Sequence, residues 1–495
     1  MSTYEDLVER YERISYVRDA GGLLGWDQQV TMPEGGTPAR SKQQSAVSAV
    51  SHDLLTDDET GALLESIEEA RLDGDQRAVV REIRREYRRA VRVPGDLVEE
   101  ISERTSNALP VWEQAREESD FEQFAPELEE ILALKREYAD HVDPEADPYA
   151  VLFADYEPYI DVETAERVLD RLREELVPLV EAIAESDVEL ATDAFEGTFD
   201  PEVQEQVSRE ALDVLGHDWD HSRLDTSTHP FTQGTQFDAR ITTRFDPEDP
   251  LDALASTVHE FGHATYMLGL PRERYGTPLG DDRGLTVHES QSRLWENHVA
   301  RSRPFWQRML PVVRDHFDGL DDVTARDAYE AANQVYDDNP IRVEADELTY
   351  HTHILLRFEI ERDLVRGDLD VAEVPQVWND KMEAYLGFRP ETDAEGCLQD
   401  IHWTHGSFGY FPTYTLGSVL AAQLYAAAES DIDDLDDHLA AGDVDPLHEW
   451  LGERIHRHGQ RYTTPDLVEQ ATGEPLTADY FLDYAKSKYG ELYDL

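Results

Sequence analysis

The sequence predicts a mostly α-helical protein, built as a single large helical domain with a small β-sheet set into it. Three observations carry that expectation. Apolar residues recur at spacings of three and four in stretch after stretch, strand-like alternation is confined to one short segment, and no linker, low-complexity tract or internal repeat divides the 495 residues. Length alone would allow two or three domains. Without a linker the chain reads as one, with room for two lobes around a cleft. Hydrophobic residues make up 40% of it, enough for a large core and unlike an acidic disordered tail.

In chain order, helical stripes occupy 4–18 and 76–92, then 121–134, where Phe121, Phe124, Leu128, Ile131, Leu132 and Leu134 stand among acidic residues. Residues 162–184 repeat the pattern through Val162, Ala165, Val168, Leu169, Leu172, Leu176 and Val177. The strand signal lies at 236–245, where polar and apolar residues partly alternate after a break at Gly234. Its expected partner is the segment near 276–287, and the short sheet would lie beside the helix containing Val258 to Ala264. Stripes at 324–336, 343–364 and 418–428 complete the set. Each is read as a face turned to the core.

Acidic residues number 108 against 44 basic ones, a net charge of −64 with histidine neutral. A surface this negative repels nucleic acid and anionic membranes, so neither is an expected partner. Lys42, Lys135, Lys381, Lys486 and Lys488 are the only lysines; the remaining basic residues are arginines. Hydrated carboxylates with few lysine stems suit concentrated salt, where at about 1 M the Debye length falls to ~3 Å and self-repulsion is screened. Cys397 is the only cysteine, so an intrachain disulfide is impossible and a reducing compartment fits. The opening residues do not read as a signal peptide, and no apolar run approaches the ~18 residues of a membrane span. The expected setting is a salt-rich cytoplasm.

The chemistry centres on Val258-His259-Glu260-Phe261-Gly262-His263-Ala264. On a helix, positions i and i+4 share a face, so His259 and His263 can reach one ion. Glu260 is rotated off that face, which suits it to take a proton from the water that the ion activates. Glu289, in Thr286-Val287-His288-Glu289-Ser290-Gln291, is the expected third ligand, leaving a fourth position open as in a catalytic site. His288 is the rival ligand. Glu296, two turns further on, is expected to support the site or to face solvent. A structural zinc site is disfavoured, because no set of cysteine ligands exists.

With those two blocks in place, the chain resembles the carboxypeptidase Taq family of thermostable metallocarboxypeptidases over nearly its whole length. Further blocks follow in that family's order: His229-Pro230-Phe231, Asp238-Ala239-Arg240-Ile241-Thr242, Ile341-Arg342-Val343-Glu344-Ala345-Asp346 and Gly396-Cys397-Leu398-Gln399-Asp400-Ile401-His402-Trp403. Trp26-Asp27-Gln28 with Met32-Pro33 is similar to its N-terminal signature. The resemblance implies a helical fold with a long, deep groove and broad release of single C-terminal residues, proline being a poor leaving residue. It also implies a homodimer, with one zinc ion per subunit that cobalt can replace.

Peptide hydrolysis further needs a donor for the oxyanion and, at a free C-terminus, a cation for the carboxylate. By resemblance to the wider group of helical zinc peptidases, Tyr410 and His402 are the expected oxyanion donors, with His405 and Tyr414 as competitors. Arg342 is the leading carboxylate anchor, against a structural ion pair with Glu344, Asp346 or another acid; Arg240 is second. His351 and His353, at i and i+2, do not share a face and are read as groove-wall or supporting residues. Cys397 is read as packing. The competing functions are an oligopeptidase or dipeptidyl-carboxypeptidase with the same metal site, and a catalytically silent peptide-binding protein.

Overall fold

Aspartates fix where several of the expected stripes begin. The Asp73 side chain accepts from the Gln76 amide to start helix Gly74–Arg92, and Gln76 reaches back to the Asp73 amide. Asp120 and Asp161 open helices Phe121–Val142 and Val162–Ala184 by accepting from the Glu122 and Thr164 amides, and Asp249 with Pro250 opens helix Pro250–Gly269. The structure, a computed structural model, describes residues 3–336 and 338–495. Helices dominate it, and a single sheet of three strands is present among the described residues.

The stripes face inward as their spacing requires. Phe121, Phe124, Leu128, Ile131 and Leu132 are buried, and so are Val168, Leu169, Leu172 and Leu176. They belong to a core that extends from Val93 to Tyr493. A second, smaller cluster joins Leu7, Tyr11, Ile14, Leu55, Leu64 and Ile83 of the N-terminal helices to Leu279. The C-terminal helix Asp479–Tyr493 is tied in by a buried ion pair: Lys488 donates to Glu347 at 2.7 Å, and Tyr489 donates to the same carboxylate at 2.8 Å. No described helix is long and apolar enough to cross a membrane.

The sheet differs from the expectation in its partner. Its strands are β1 (Ser222–Thr226), β2 (Phe231–Thr235) and β3 (Asp238–Thr243), in the order β1-β3-β2. β3 pairs antiparallel with β2 and parallel with β1, so the segment 276–287 is not its neighbour. That segment instead forms a short 3-10 turn at Pro278–Gly280 and the start of helix Leu285–Arg293. Gly234 is not a break. It sits inside β2 opposite Ala239, where a Cβ would lie 2.1 Å from the Asp238 carbonyl oxygen.

Two helices are shorter than their stripes. The 324–336 stripe yields Ala325–Ala331, because the Asn333 side chain, not a backbone amide, takes the Tyr329 carbonyl at 2.7 Å. The 343–364 stripe yields Thr349–Arg366. There Asp346 accepts from the amides of Leu348 and Thr349 at 2.9 and 3.0 Å, and so starts the helix after the Ile341–Asp346 block.

Candidate metal centre and its surroundings

Helix Pro250–Gly269 turns Val258, Phe261 and Ala264 into the core, which leaves His259 and His263 on another face. Their rings stand 4.9 Å apart, nearly perpendicular. Glu289 Oε2 lies 3.6 Å from His259 Nε2 and 3.5 Å from His263 Nε2. The three ligand atoms all fall within 4.8 Å of one another.

Glycines let the Glu289 helix come this close. A Cβ on Gly262 would lie 2.5 Å from Ser292 Cα and 2.6 Å from the Gln291 carbonyl oxygen. On another side, a Cβ on Gly417 of helix Pro412–Asp431 would lie 2.5 Å from Glu289 Cγ. Helix Leu285–Arg293 is therefore wedged between two backbones. Glu157, fully buried, accepts from the Thr286 amide at 3.2 Å and holds the start of this helix.

The partners of the three donors orient them. His259 Nδ1–H donates to Glu296 Oε2 at 2.8 Å, which leaves the lone pair of Nε2 turned toward Glu289 and His263. Arg293 donates to Glu289 at 2.8 Å and to Glu296 at 2.9 Å. Burial alone would raise the Glu296 carboxyl, but Arg293 and His259 outweigh it and hold Glu296 ionised well below the usual range. Glu296 is thus buried, not solvated, and reaches His259 because the helix widens to a π-type turn over Leu294–Ala300. His288 turns away from the ligand position: it stacks 4.4 Å from the His263 ring and pairs with Asp282 at 3.3 Å.

Two imidazole nitrogens, one carboxylate oxygen and a carboxylate-held tautomer form a donor set that fits a divalent metal. Glu260 is buried beside it. Its carboxyl is pushed up to about 6, chiefly by burial, and Thr232 on β2 donates to its Oε2 at 2.7 Å and to its carbonyl oxygen at 2.9 Å. A carboxylate poised near neutrality is suited to accepting and returning a proton.

Residues 6–489 match the model of the carboxypeptidase Taq (M32) metallopeptidase family. The chain belongs to that family. Thermostable carboxypeptidase 1 of Pyrococcus furiosus is 39% identical over 493 residues, covering 98% of both chains. Its namesake from Thermus thermophilus is 38% identical over 506 residues, covering 99% of each. The crystal structure of the M32 carboxypeptidase of Deinococcus radiodurans R1 superposes with a TM-score of 0.96 at 38% identity, over 100% of both chains.

In this M32 chain the residues expected around the metal fall into two groups. Tyr410, Tyr414, His402 and Arg342 come together: the Tyr410 and Tyr414 rings are 5.2 Å apart, His402 is 5.5 Å from Tyr410, and the Arg342 guanidinium is 5.6 Å from the Tyr414 ring. Burial first, then the Glu289 charge, push the Tyr410 phenol up, which keeps it protonated at neutral pH. Burial pushes His402 down to about 4, so its imidazole is neutral there. Tyr350 links this group to the metal centre. Its ring lies 4.8 Å under the Arg293 guanidinium, and its hydroxyl accepts from Arg342 at 3.3 Å.

Arg342 is buried, with Nε and Nη2 both at 2.9 Å from Asp400 Oδ1, while Arg357 donates to the other Asp400 oxygen at 2.6 Å. Its acid is Asp400, not Glu344 or Asp346. The second group stays apart. His405 is exposed on a turn, and Arg240 chelates Asp238 at 2.6 and 3.0 Å while stacking 4.4 Å from the Trp26 ring. His351 and His353 are buried and act as supports, not groove walls: His351 bonds Thr415 at 3.1 Å, and His353 lies 3.4 Å from the Arg357 guanidinium that holds Asp400. Cys397 is buried, and burial pushes its thiol up, as packing requires.

Thr232, Arg293, Tyr350, Asp400 and Glu361 were not singled out from sequence. Glu361 is fully buried, accepts from Trp403 Nε1 at 2.9 Å and from the Gly409 amide at 3.1 Å, and so anchors the loop that carries His402 and Tyr410. Arg293 had a usable signal, its i+4 spacing from Glu289 on one helix face. Glu361 had another: it directly follows the apolar-rich stretch from Ile354 to Ile360 on a buried helix.

Proposed function

We propose that this protein is a zinc-dependent carboxypeptidase that removes single residues from the C-termini of peptides with broad specificity. The observation that carries this reading is the convergence of His259, His263 and Glu289, with the His259 tautomer set by Glu296 and the buried carboxyl of Glu260 beside them. The carboxypeptidase names of the close relatives support it. A divalent ion on these three ligands supplies Lewis acidity, polarising the scissile carbonyl and acidifying water.

Glu260 takes the proton of the attacking water and returns it to the leaving amine, with Thr232 fixing its orientation. Tyr410 and His402 donate to the developing oxyanion, each held neutral by burial, with Tyr414 alongside. Arg342 anchors the C-terminal carboxylate through the Nη1 edge that Asp400 leaves free, next to the Tyr350 hydroxyl. Arg240 and His405 meet the peptide beyond this inner group. The chain is read as one domain, its N-terminal helices forming a lobe around their own apolar cluster. The family likeness supports a homodimer, the charge of −64 a salt-rich setting, and the single cysteine a reducing, cytoplasmic one.

The test is incubation of purified protein in molar salt with an N-blocked peptide ending in alanine, followed by mass over time. Sequential loss of single residues, abolished by a chelator and restored by zinc or cobalt, is the expected result. Dipeptides or internal fragments would mark a dipeptidyl-carboxypeptidase or oligopeptidase. No cleavage with metal still bound would leave a peptide-binding protein.

A further inference from the structure

Helix Gly74–Arg92 runs against the charge of the chain. Seven of the 44 basic residues fall between positions 77 and 92, all arginines. Five of them, Arg77, Arg81, Arg84, Arg85 and Arg88, follow the i, i+4, i+7, i+8, i+11 spacing that puts side chains on one helical face. With Tyr159 they line a cavity of about 600 Å³, none of whose lining residues belongs to the metal centre. Like charges at i, i+4 repel, so such a face is held at a cost unless something negative lies on it.

The chain's own carboxylates do not fill that role. Those of the helix point elsewhere: Asp75 pairs with Arg461 at 3.0 Å, Glu86 with Arg18 at 2.9 Å, and Glu82 with Arg283 at 3.0 Å. Glu82 also takes Arg81, and Glu69 at the cavity edge takes Arg84. The other three guanidiniums form no ion pair among the described residues. Arg77 donates to the Leu72 carbonyl at 2.6 Å, Arg85 donates to the Ala154 carbonyl, and Arg88 is exposed.

We propose that this cavity binds a small multivalent oxyanion, with the chemistry of a phosphate or pyrophosphate group, at a site separate from the metal centre. Guanidinium forks on Arg77, Arg85 and Arg88 present planar pairs of N–H donors that match tetrahedral oxyanions. Tyr159, lying 5.5 Å from the Arg81 guanidinium and 4.8 Å from that of Arg283, walls one side with an aromatic face. The concave shape and volume fit a small ligand better than a flat protein partner.

The experiment is calorimetric titration of the full-length, metal-loaded protein with sodium pyrophosphate, against chloride at matched ionic strength. Saturable binding is expected, weakened on the order of tenfold or more by Arg77→Gln with Arg88→Gln and untouched by Arg389→Gln, an exposed arginine elsewhere. Both substituted residues are exposed, and an unchanged unfolding midpoint shows that the fold is kept. Tighter binding of ATP than of pyrophosphate would name a nucleotide as the source of the oxyanion, and equal binding an inorganic one. Absence of saturable binding at millimolar pyrophosphate overturns the proposal. So does binding that survives the double substitution, since it would belong to the metal. Conversion of a dimer to a monomer by the double substitution, without any anion binding, overturns it in favour of an acidic face of a second copy.

Discussion

Gly262→Ala isolates what the close approach of two helices does for the metal site. The new Cβ would sit 2.5 Å from Ser292 Cα and 2.6 Å from the Gln291 carbonyl oxygen, both backbone atoms that no rotamer change can move. Ordinary carbon contacts begin about 1 Å further out, so helix Leu285–Arg293 must retreat by roughly that much and take Glu289, one turn before Ser292, with it. Overpacking of this kind costs about 1–3 kcal/mol, offset by about 1 kcal/mol from replacing glycine by alanine inside a helix. The net stability change is therefore small, about 0–2 kcal/mol. The effect on chemistry is larger, because metal–ligand distances tolerate only ~0.2 Å and a ~1 Å misplacement costs about 10²-fold in rate. The assay measures metal per chain after dialysis, kcat/KM on a blocked peptide, and the unfolding midpoint. Gly452→Ala, where a Cβ would meet nothing within 4 Å, is the control and leaves all three near wild type. A Gly262→Ala protein with wild-type metal content and kcat/KM would refute the reasoning.

Glu260→Gln is expected to retain metal and KM while kcat falls by about 10²–10⁴-fold; an unchanged kcat would remove Glu260 from proton transfer. Glu296→Ala frees His259 Nδ1 and should weaken metal binding by about 10–100-fold, read by competition with a chelator. Against the opposing effect of burial, Lys488 and Arg301 hold Glu347 at about 2, below its ordinary 4.5. A depressed carboxyl contributes stability that is fully present above pH 4.5 and is lost as pH falls toward 2. Glu347→Gln should cost about 3 kcal/mol at neutral pH, a deficit that closes in acid; urea unfolding from pH 7 to pH 2 checks it. With a net charge of −64, the unfolding midpoint should rise as potassium chloride goes from 0.1 to about 1 M; a flat profile would remove self-repulsion as the reason for salt dependence.

The convergence of His259, His263 and Glu289 was legible because helical spacing is rigid: the two histidines are one turn apart, and a second helix had only to bring one carboxylate. The helices were legible for the same reason, since stripes such as Phe121 to Leu132 report burial directly. What was not legible depended on partners distant in sequence. Thr232 meets Glu260 only because β2 pairs with β3, and β3 was assigned the wrong neighbour. Arg342 was expected to be paired or free, but Asp400 could not be named because it arrives from 58 residues away. Helix starts near 349 were misjudged because Asp346 acts as a cap through its side chain, which apolar periodicity does not register. Spacing alone could not divide His351 and His353 between groove wall and support, because helix Thr349–Arg366 is enclosed on nearly all sides and its neighbours come from distant segments.

The π-type turn at Leu294–Ala300 bears on which insertions and deletions a gene for this protein can tolerate. An α-helix advances about 100° per residue. Removing one codon between Glu289 and Glu296 would absorb the widened turn into regular winding and rotate Glu296 by about that angle relative to Glu289, taking it off both His259 and Arg301. Both ends of the turn are locked, one by the metal site and the other by the packing of Val299 and Ala300 in the core. Length is therefore as constrained as residue identity in this stretch. Variants that survive selection here should be substitutions, while single-codon gains and losses should be confined to surface turns such as that around Gly319, where a side chain would meet nothing within 4 Å.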